Sequence, residues 1–284
     1  MTNPRPLLSL TALLLAGSLA GCDAEAPGGA VDYRAIGHAD LTSLTSAPWL
    51  ASSLKDGNLA IAGDDLGDCA DVLQAARTVT FGASDDAFEV YVEGTFDAAA
   101  ANACSDYLDA KVATGKARGD GHPKPEAVLL AEGVFVVFGG DLTPSRDRLE
   151  SLLSNDPSKG QPLWITANTR GKDPKATRPV ERVVAWANPS KGLRAHAEVV
   201  FADEAKATEL YGKATLGLVA MSMSDEVGEL ASAVDLDSSG KTITAEIALS
   251  STQMKGLVTK AKARPPGHDG HEGHGLKVEV DTSR

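Results

Sequence analysis

The chain has 284 residues, of which 23% are charged and 43% apolar, and it carries a formal net charge of −12. The apolar share excludes an acidic disordered tail, and the sign of the charge excludes a surface made for phosphate backbones, so nucleic acid is not an expected partner. The same sign disfavours attachment to anionic lipid through charge.

Read from the N-terminus, Arg5 is the only charged side chain before Asp23. Residues 7–19 are apolar apart from Ser9, Thr11 and Ser18, which is too short a run to cross a bilayer, since about 20 apolar residues are needed. A basic start, a short apolar stretch and small residues before a cut make a secretory leader. The stretch ends in Leu19-Ala20-Gly21-Cys22, which resembles the lipobox of bacterial lipoproteins. The resemblance covers residues 1–22 only. It implies cleavage before Cys22, a diacylglyceryl group and an amide-linked acyl chain on that cysteine, and a body exported into the cell envelope on a lipid anchor. Two or three acyl chains suffice for stable anchoring. The other reading is a leader cut elsewhere, with Cys22 incidental. Removal of residues 1–21 takes away Arg5 and no acid, leaving −13. No second apolar run approaches membrane length.

With Cys22 acylated, Cys69 and Cys104 remain. An even pair in an exported chain reads as a disulfide. The alternatives are two free thiols or a metal pair, although neither cysteine has a CxxC neighbour or a close histidine.

Residues 23–44 show no sustained periodicity and read as a tether. Trp49, Leu50 and Leu54 begin the fold on a short helix, and residues 58–62 make a short strand candidate. Cys69, Val72, Leu73 and Ala76 recur at helical spacing over residues 68–76. Residues 77–83 and 87–96 are strands around a Ser84-Asp85-Asp86 turn, with Phe88, Val90 and Val92 on one face and Glu89, Tyr91 and Glu93 on the other. Asp97 caps a helix over residues 98–112. Residues 127–132 and 134–139 are a strand pair or one bent strand. Thr143 or Ser145 then caps a helix with a Leu149, Leu152, Leu153 stripe.

The pattern recurs further along. Residues 162–169 are a strand that opens a second unit, followed by strands at 183–187 and 193–201. Asp203 caps a helix over residues 204–223, whose apolar end (Leu216, Leu218, Val219, Met221, Met223) is expected to bury against the sheet. The other use for that end is to dock a partner. Strands at 230–235 and 241–249 flank the turn Asp237-Ser238-Ser239-Gly240, and Ser250 or Ser251 caps a last helix carrying Met254, Leu257 and Val258. Arg77 aligns with Arg182 and Phe96 with Phe201, both at an offset of 105 residues. The fold class expected is α+β: two related ββαββα-type units with antiparallel sheets, helices packed on one face, and sheets able to join edge to edge. The organisation is residues 1–21 leader, 22–44 acylated cysteine and tether, 45–161 first unit with the disulfide, 162–264 second unit, and 265–284 a His/Gly-rich tail.

Catalytic motifs are absent: there is no G-x-S-x-G, no S-x-x-K near a KTG and no H-E-x-x-H. Gly139-Gly140-Asp141 lacks the continuation of a phosphate loop and reads as a strand-to-helix turn. Asp64-Asp65 and Asp85-Asp86 lack calcium-loop spacing and read as solvated turns. His268, His271 and His274 repeat every three residues beside Asp269 and Glu272, a donor set suited to weak binding of Zn²⁺, Cu²⁺ or Ni²⁺. The plain alternative for this tail is a polar extension. His122 and His196 read as exposed structural histidines. Trp49, Trp164 and Trp186 read as core anchors, with a ligand pocket as the other option. The expectation is a non-enzymatic, membrane-anchored envelope lipoprotein that binds or positions an unknown envelope protein or ligand. The alternatives are a metal-handling lipoprotein using the tail, and an enzyme with a dispersed site.

Overall fold

A computed structural model describes residues 33–49, 67–113, 123–158, 160–168, 179–224 and 228–263. Ten strands in one antiparallel sheet run in the order β4-β5-β3-β2-β1-β6-β7-β8-β10-β9. The strands are β1 (Ala35–Asp40), β2 (Ala76–Ala83), β3 (Phe88–Gly94), β4 (Pro125–Ala131), β5 (Val134–Gly139), β6 (Leu163–Asn168), β7 (Val180–Asn188), β8 (Gly192–Phe201), β9 (Val234–Ser239) and β10 (Thr242–Ser250). The helices among the described residues are α1 (Leu41–Thr45), α2 (Ala70–Gln74), α3 (Ala98–Ala113), α4 (Arg146–Ser154), α5 (Glu204–Ser222), α6 (Gly228–Ser232) and α7 (Ser251–Ala263), and a short 3-10 turn (Gly67–Cys69) leads into α2.

Short polar side chains start these helices where the sequence placed them. Asp97 Oδ1 accepts from Ala100 N at 2.9 Å, Ser145 Oγ from Arg148 N at 3.3 Å and Asp203 Oδ1 from Lys206 N at 2.7 Å. Ser250 and Gln253 form a reciprocal box at the start of α7.

Alternation divides the sheet into two faces. One carries Phe135, Val92, Val79, Phe81, Val199 and Ile243, which the strand register sets side by side. The 3-10 turn, α2 and α3 cover one half of this face, with Val72, Ala101 and the two cysteines packed on Val79, Val92 and Phe135. α5 and α7 cover the other half, through Ala207 on Phe201 and Ile243 and through Met254 on Leu249. Trp49 joins the second of these clusters, and its indole N–H donates to the carbonyls of Pro189 and Gly192, both at 2.9 Å.

Three sequence expectations need correction. The helices do not all share one face. α4 lies on the opposite side, where Leu149 and Leu152 pack on Ile36, Tyr91, Val136 and Trp164. The alternation in β3 gives its two faces, and both are covered: Glu89 and Tyr91, on the side of α4, are fully buried.

Secondly, residues 35–44 are not tether. They form β1, one of the two innermost strands of the sheet, and α1. The strand Ala-Ile-Gly-His-Ala-Asp resembles a linker in composition because its neighbours require small side chains. A Cβ on Gly37 would stand 2.4 Å from Phe81 Cε1. Thirdly, α5 does not bury its apolar end. Leu216 is 72% exposed and Met223 81% exposed. A smaller shift concerns residues 228–232, which are helical, so that β9 begins at Val234.

Candidate functional site

The register aligns one residue per strand across the face that carries α4. Tyr91 sits opposite Thr80, Thr80 opposite His38, His38 opposite Trp164, Trp164 opposite Trp186, Trp186 opposite His196 and His196 opposite Glu246. Directly opposed side chains on antiparallel strands are near neighbours, so the register alone makes a continuous row with a His-Trp-Trp-His centre. Ring geometry follows it. His38 and Trp164 have centroids 6.2 Å apart, and Trp186 stacks on His196 at 5.6 Å with 15° between planes. The row crosses the β1–β6 seam at its middle.

α4 roofs the row from Tyr91 to Trp164 and stops there. A cleft of about 360 Å³ opens at its C-terminal end, between the β1–α1 corner and the turn after α4, with His38, Asp40, Asp156, Trp164 and Asn188 among its walls. Beyond the cleft, Trp186 and His196 are half-buried, and among the described residues no helix covers them. The open part of the face also holds Arg182 paired with Glu198 at 2.6 Å, and His196 Nδ1 lies 3.2 Å from Glu246 Oε1.

The polar groups of the cleft are largely committed to the fold. Asp40 caps α1, accepting from Thr42 N at 2.9 Å, Ser43 N at 3.1 Å and Ser43 Oγ at 2.6 Å. Burial pushes its carboxyl upward, but the bonds from Ser43 and Thr42 outweigh it and hold the group below the usual aspartate range. Asp156 accepts from the amides of Ser158 and Gly160, both at 2.7 Å.

His38 Nδ1 lies 2.9 Å from Thr80 Oγ1, and Thr80 is buried, so this pair does not offer a nucleophile to the cleft. Burial lowers the proton affinity of His38, against the pull of the Asp40, Asp156 and Glu93 carboxylates. A depressed histidine stabilises the fold above its unfolded value near about 6.5 and loses that contribution as pH falls through the folded value. His38→Gln is therefore expected to keep more of its pH 7 stability at pH 5 than the wild type, measured as urea midpoints. Equal losses in the two proteins would remove His38 as a source of acid sensitivity.

α4 owes its position to a buried polar network. Glu89, fully buried, accepts from Arg148 Nε at 3.0 Å, from the Tyr91 hydroxyl at 2.9 Å and from the Tyr33 hydroxyl. Arg148 also donates to Tyr33 and stands over its ring. Burial and the Glu89 carboxylate push both tyrosines well above their ordinary values, so their hydroxyls stay protonated donors. Arg34 and Asp85 form a second shielded ion pair, although Asp85 reads as a solvated turn in the sequence.

Of the residues singled out from the sequence, Cys69 and Cys104 are joined, with an S–S distance of 2.00 Å. The bridge ties the 3-10 turn to α3 on the face opposite the cleft. Cys22, His122, His268, His271 and His274 lie outside the described residues. Among the described residues, no group of three or more His, Cys, Asp or Glu is placed to hold a metal ion. Trp49 and Trp164 are buried as core anchors, whereas Trp186 reaches the surface. His196 belongs to the row rather than standing alone. His38 and Asp40 were hidden in a stretch read as tether. Their signal was the alternation of Ile36, His38 and Asp40 with small residues.

No family model, no curated protein and no solved structure matches the chain.

Proposed function

We propose that the chain is a lipid-anchored protein of the bacterial cell envelope with a non-enzymatic binding role, and that its ligand or partner engages the His38-Trp164-Trp186-His196 row. The row is the observation that carries the reading. Two tryptophans and two histidines share one face, a cleft opens at one end of the roof above them, and the stacked Trp186 and His196 remain within reach of a ligand. The cleft wall is mostly polar and already bonded within the fold, so the rings of Trp164, Trp186 and His196 supply the surface a ligand would engage. The Leu19-Ala20-Gly21-Cys22 motif supports the anchor, and the negative body leaves attachment to the acyl chains.

The finer architecture belongs to the same proposal. Outward from the β1–β6 seam, each half sets its strands in the order first, second, third, fifth, fourth, with a long helix between third and fourth. That order, with the offset of 105 residues, supports two related units joined at their first strands, so that the row lies across the junction.

One experiment addresses both parts. In a bacterial host, the wild-type chain is expected in the membrane fraction and Cys22→Ser in the soluble fraction. A photo-reactive side chain at Ser190, on the cleft rim, is expected to give a discrete adduct on the anchored chain, and Trp186→Ala to reduce it by about ten-fold. Retention of Cys22→Ser in the membrane overturns the anchor. An adduct indifferent to Trp186, or none, overturns the binding face.

A further inference from the structure

The exposed end of α5 is the largest apolar anomaly on the described surface. Its root is ordinary. Ala207, Leu210 and Tyr211 pack on Val199, Phe201, Leu236 and Ile243, and the adjacent surface is charged. Lys213 and Lys206 donate to Glu209, holding that carboxylate down to about 2. Past Lys213 the character changes. No charged side chain occurs over residues 214–224. Leu216, Val219, Ala220 and Met223 fall at i, i+3, i+4 and i+7, the spacing of one helix face. Leu216, Val219 and Met223 are 72%, 50% and 81% exposed, with Met221 and Leu230 exposed alongside.

This is not a fraying end. α6 turns back against α5, Gly228 N donates to Ser224 O at 2.8 Å, and a Cβ on Gly228 would meet Ser222 O at 2.6 Å. The fold therefore holds an apolar helix end clear of its own sheet. Such faces are normally covered.

We propose that the covering is a lipid bilayer: the end of α5, with Leu230 beside it, is a second membrane contact seated at the boundary of headgroups and acyl chains. The inference rests on the anchored reading above, and three observations favour a bilayer over a second copy of the chain.

The first is size. Ten helical residues extend about 15 Å, and half the surface of such a cylinder is on the order of 250 Å². A stable protein interface buries about 800 Å² on each partner. A body already held at the membrane needs far less, because tethering raises the local concentration of lipid.

The second is reach. Only ten residues separate Cys22 from Tyr33, the start of the described body, and they span at most about 35 Å. β1 and β9, near whose edge α5 leaves the sheet, are five strand spacings apart, about 24 Å. Ala35 is level with Ala167, Val183, Val199 and Ile243, so the connection enters the sheet at the end where α5 begins. The body is thus held close to the surface, and the apolar end of α5, which starts about 15 Å of helix beyond Glu204, comes within reach when the body rolls toward β9.

The third is depth. Among the described residues no helix is long and apolar enough to cross a membrane, and the uncharged part of α5 amounts to about half of a span, which suits an interfacial contact.

The test places an environment-sensitive fluorophore at Met223→Cys in the otherwise full chain, purified acylated and reconstituted in phosphatidylcholine vesicles carrying spin-labelled acyl chains. The expected result is a blue-shifted probe quenched by the spin label, with the same probe at Ser239→Cys unaffected. Leu216→Glu, at an exposed position that leaves folding intact, is expected to reduce the quenching by about ten-fold.

A membrane-bound chain whose Met223→Cys probe stays aqueous overturns the proposal while the anchor stands. The Cys22→Ser chain, titrated with the same vesicles, decides the contact if the anchor fails: saturable quenching at high lipid supports it, and none overturns it. Lipid-free sedimentation that shows a dimer dissolved by Leu216→Glu assigns the face to a second copy and overturns the bilayer. A Met223→Cys probe that is already blue-shifted in the lipid-free monomer assigns the face to the chain itself, with the same consequence.

Discussion

Arg148→Met is expected to destabilise the protein by about 3–5 kcal/mol, because it leaves the Glu89 carboxylate fully buried with only tyrosine hydroxyls for company. Burying an unpaired charge costs far more than the net worth of the pair it came from, so the two partners are expected to behave very differently in combination. Glu89→Gln/Arg148→Met removes both charges and keeps an amide oxygen that can accept from Tyr33 and Tyr91. It is expected to recover more than half of the loss, an interaction that urea denaturation of the two single variants and the double variant measures directly. A cost under about 1 kcal/mol for Arg148→Met would show that α4 is held by Leu149 and Leu152 alone. The network matters beyond stability. Arg148 lies in α4, which roofs the row and ends at the cleft, so loosening it is also expected to weaken the photo-adduct at Ser190.

Cys69→Ala/Cys104→Ala is expected to cost about 4 kcal/mol, since the bridge spans a sequence separation of 35 and cross-links the unfolded chain around α2, β2, β3 and α3. The urea midpoint should fall by more than about 1 M, and a reducing agent should lower the wild-type midpoint toward that of the double variant. A midpoint that does not move under either treatment would remove the bridge as a source of stability. The acid sensitivity attributed to His38 should survive in the double variant, because the bridge and His38 lie on opposite faces of the sheet.

The elements with a strong period were readable from the sequence. β2, β3, β7 and β8, the caps at Asp97, Ser145 and Asp203, and the long α5 all stand close to where alternation, capping side chains and helical spacing put them. What was not readable depends on neighbours distant in the chain. β1 pairs with β6 across some 130 residues, and its small side chains are explained only by Phe81 above Gly37. Alternation puts Glu89 and Tyr91 on one face of β3, but a single strand does not reveal the arginine 59 residues away that pairs with Glu89 there. The row was invisible for the same reason, since His38, Trp164, Trp186 and His196 come from four strands, and register alone makes them neighbours. The end of α5 failed in the opposite sense. Its apolar residues are expected in the core, as such residues usually are, but only Ala207, Leu210 and Tyr211 near its start pack on the sheet.

The place of β1 has a mechanical consequence. On the anchoring proposed above, a load on the N-terminus enters the sheet through β1, which lies in the middle of its ten strands. β1 is flanked by β2 and β6, so a pull along its axis shears two ladders together, five residue pairs with β6 and six with β2, instead of peeling an edge one bond at a time. Tension is thereby divided between the two halves of the sheet at the point where they meet, and the singly paired edge strands β4 and β9 are the farthest from it.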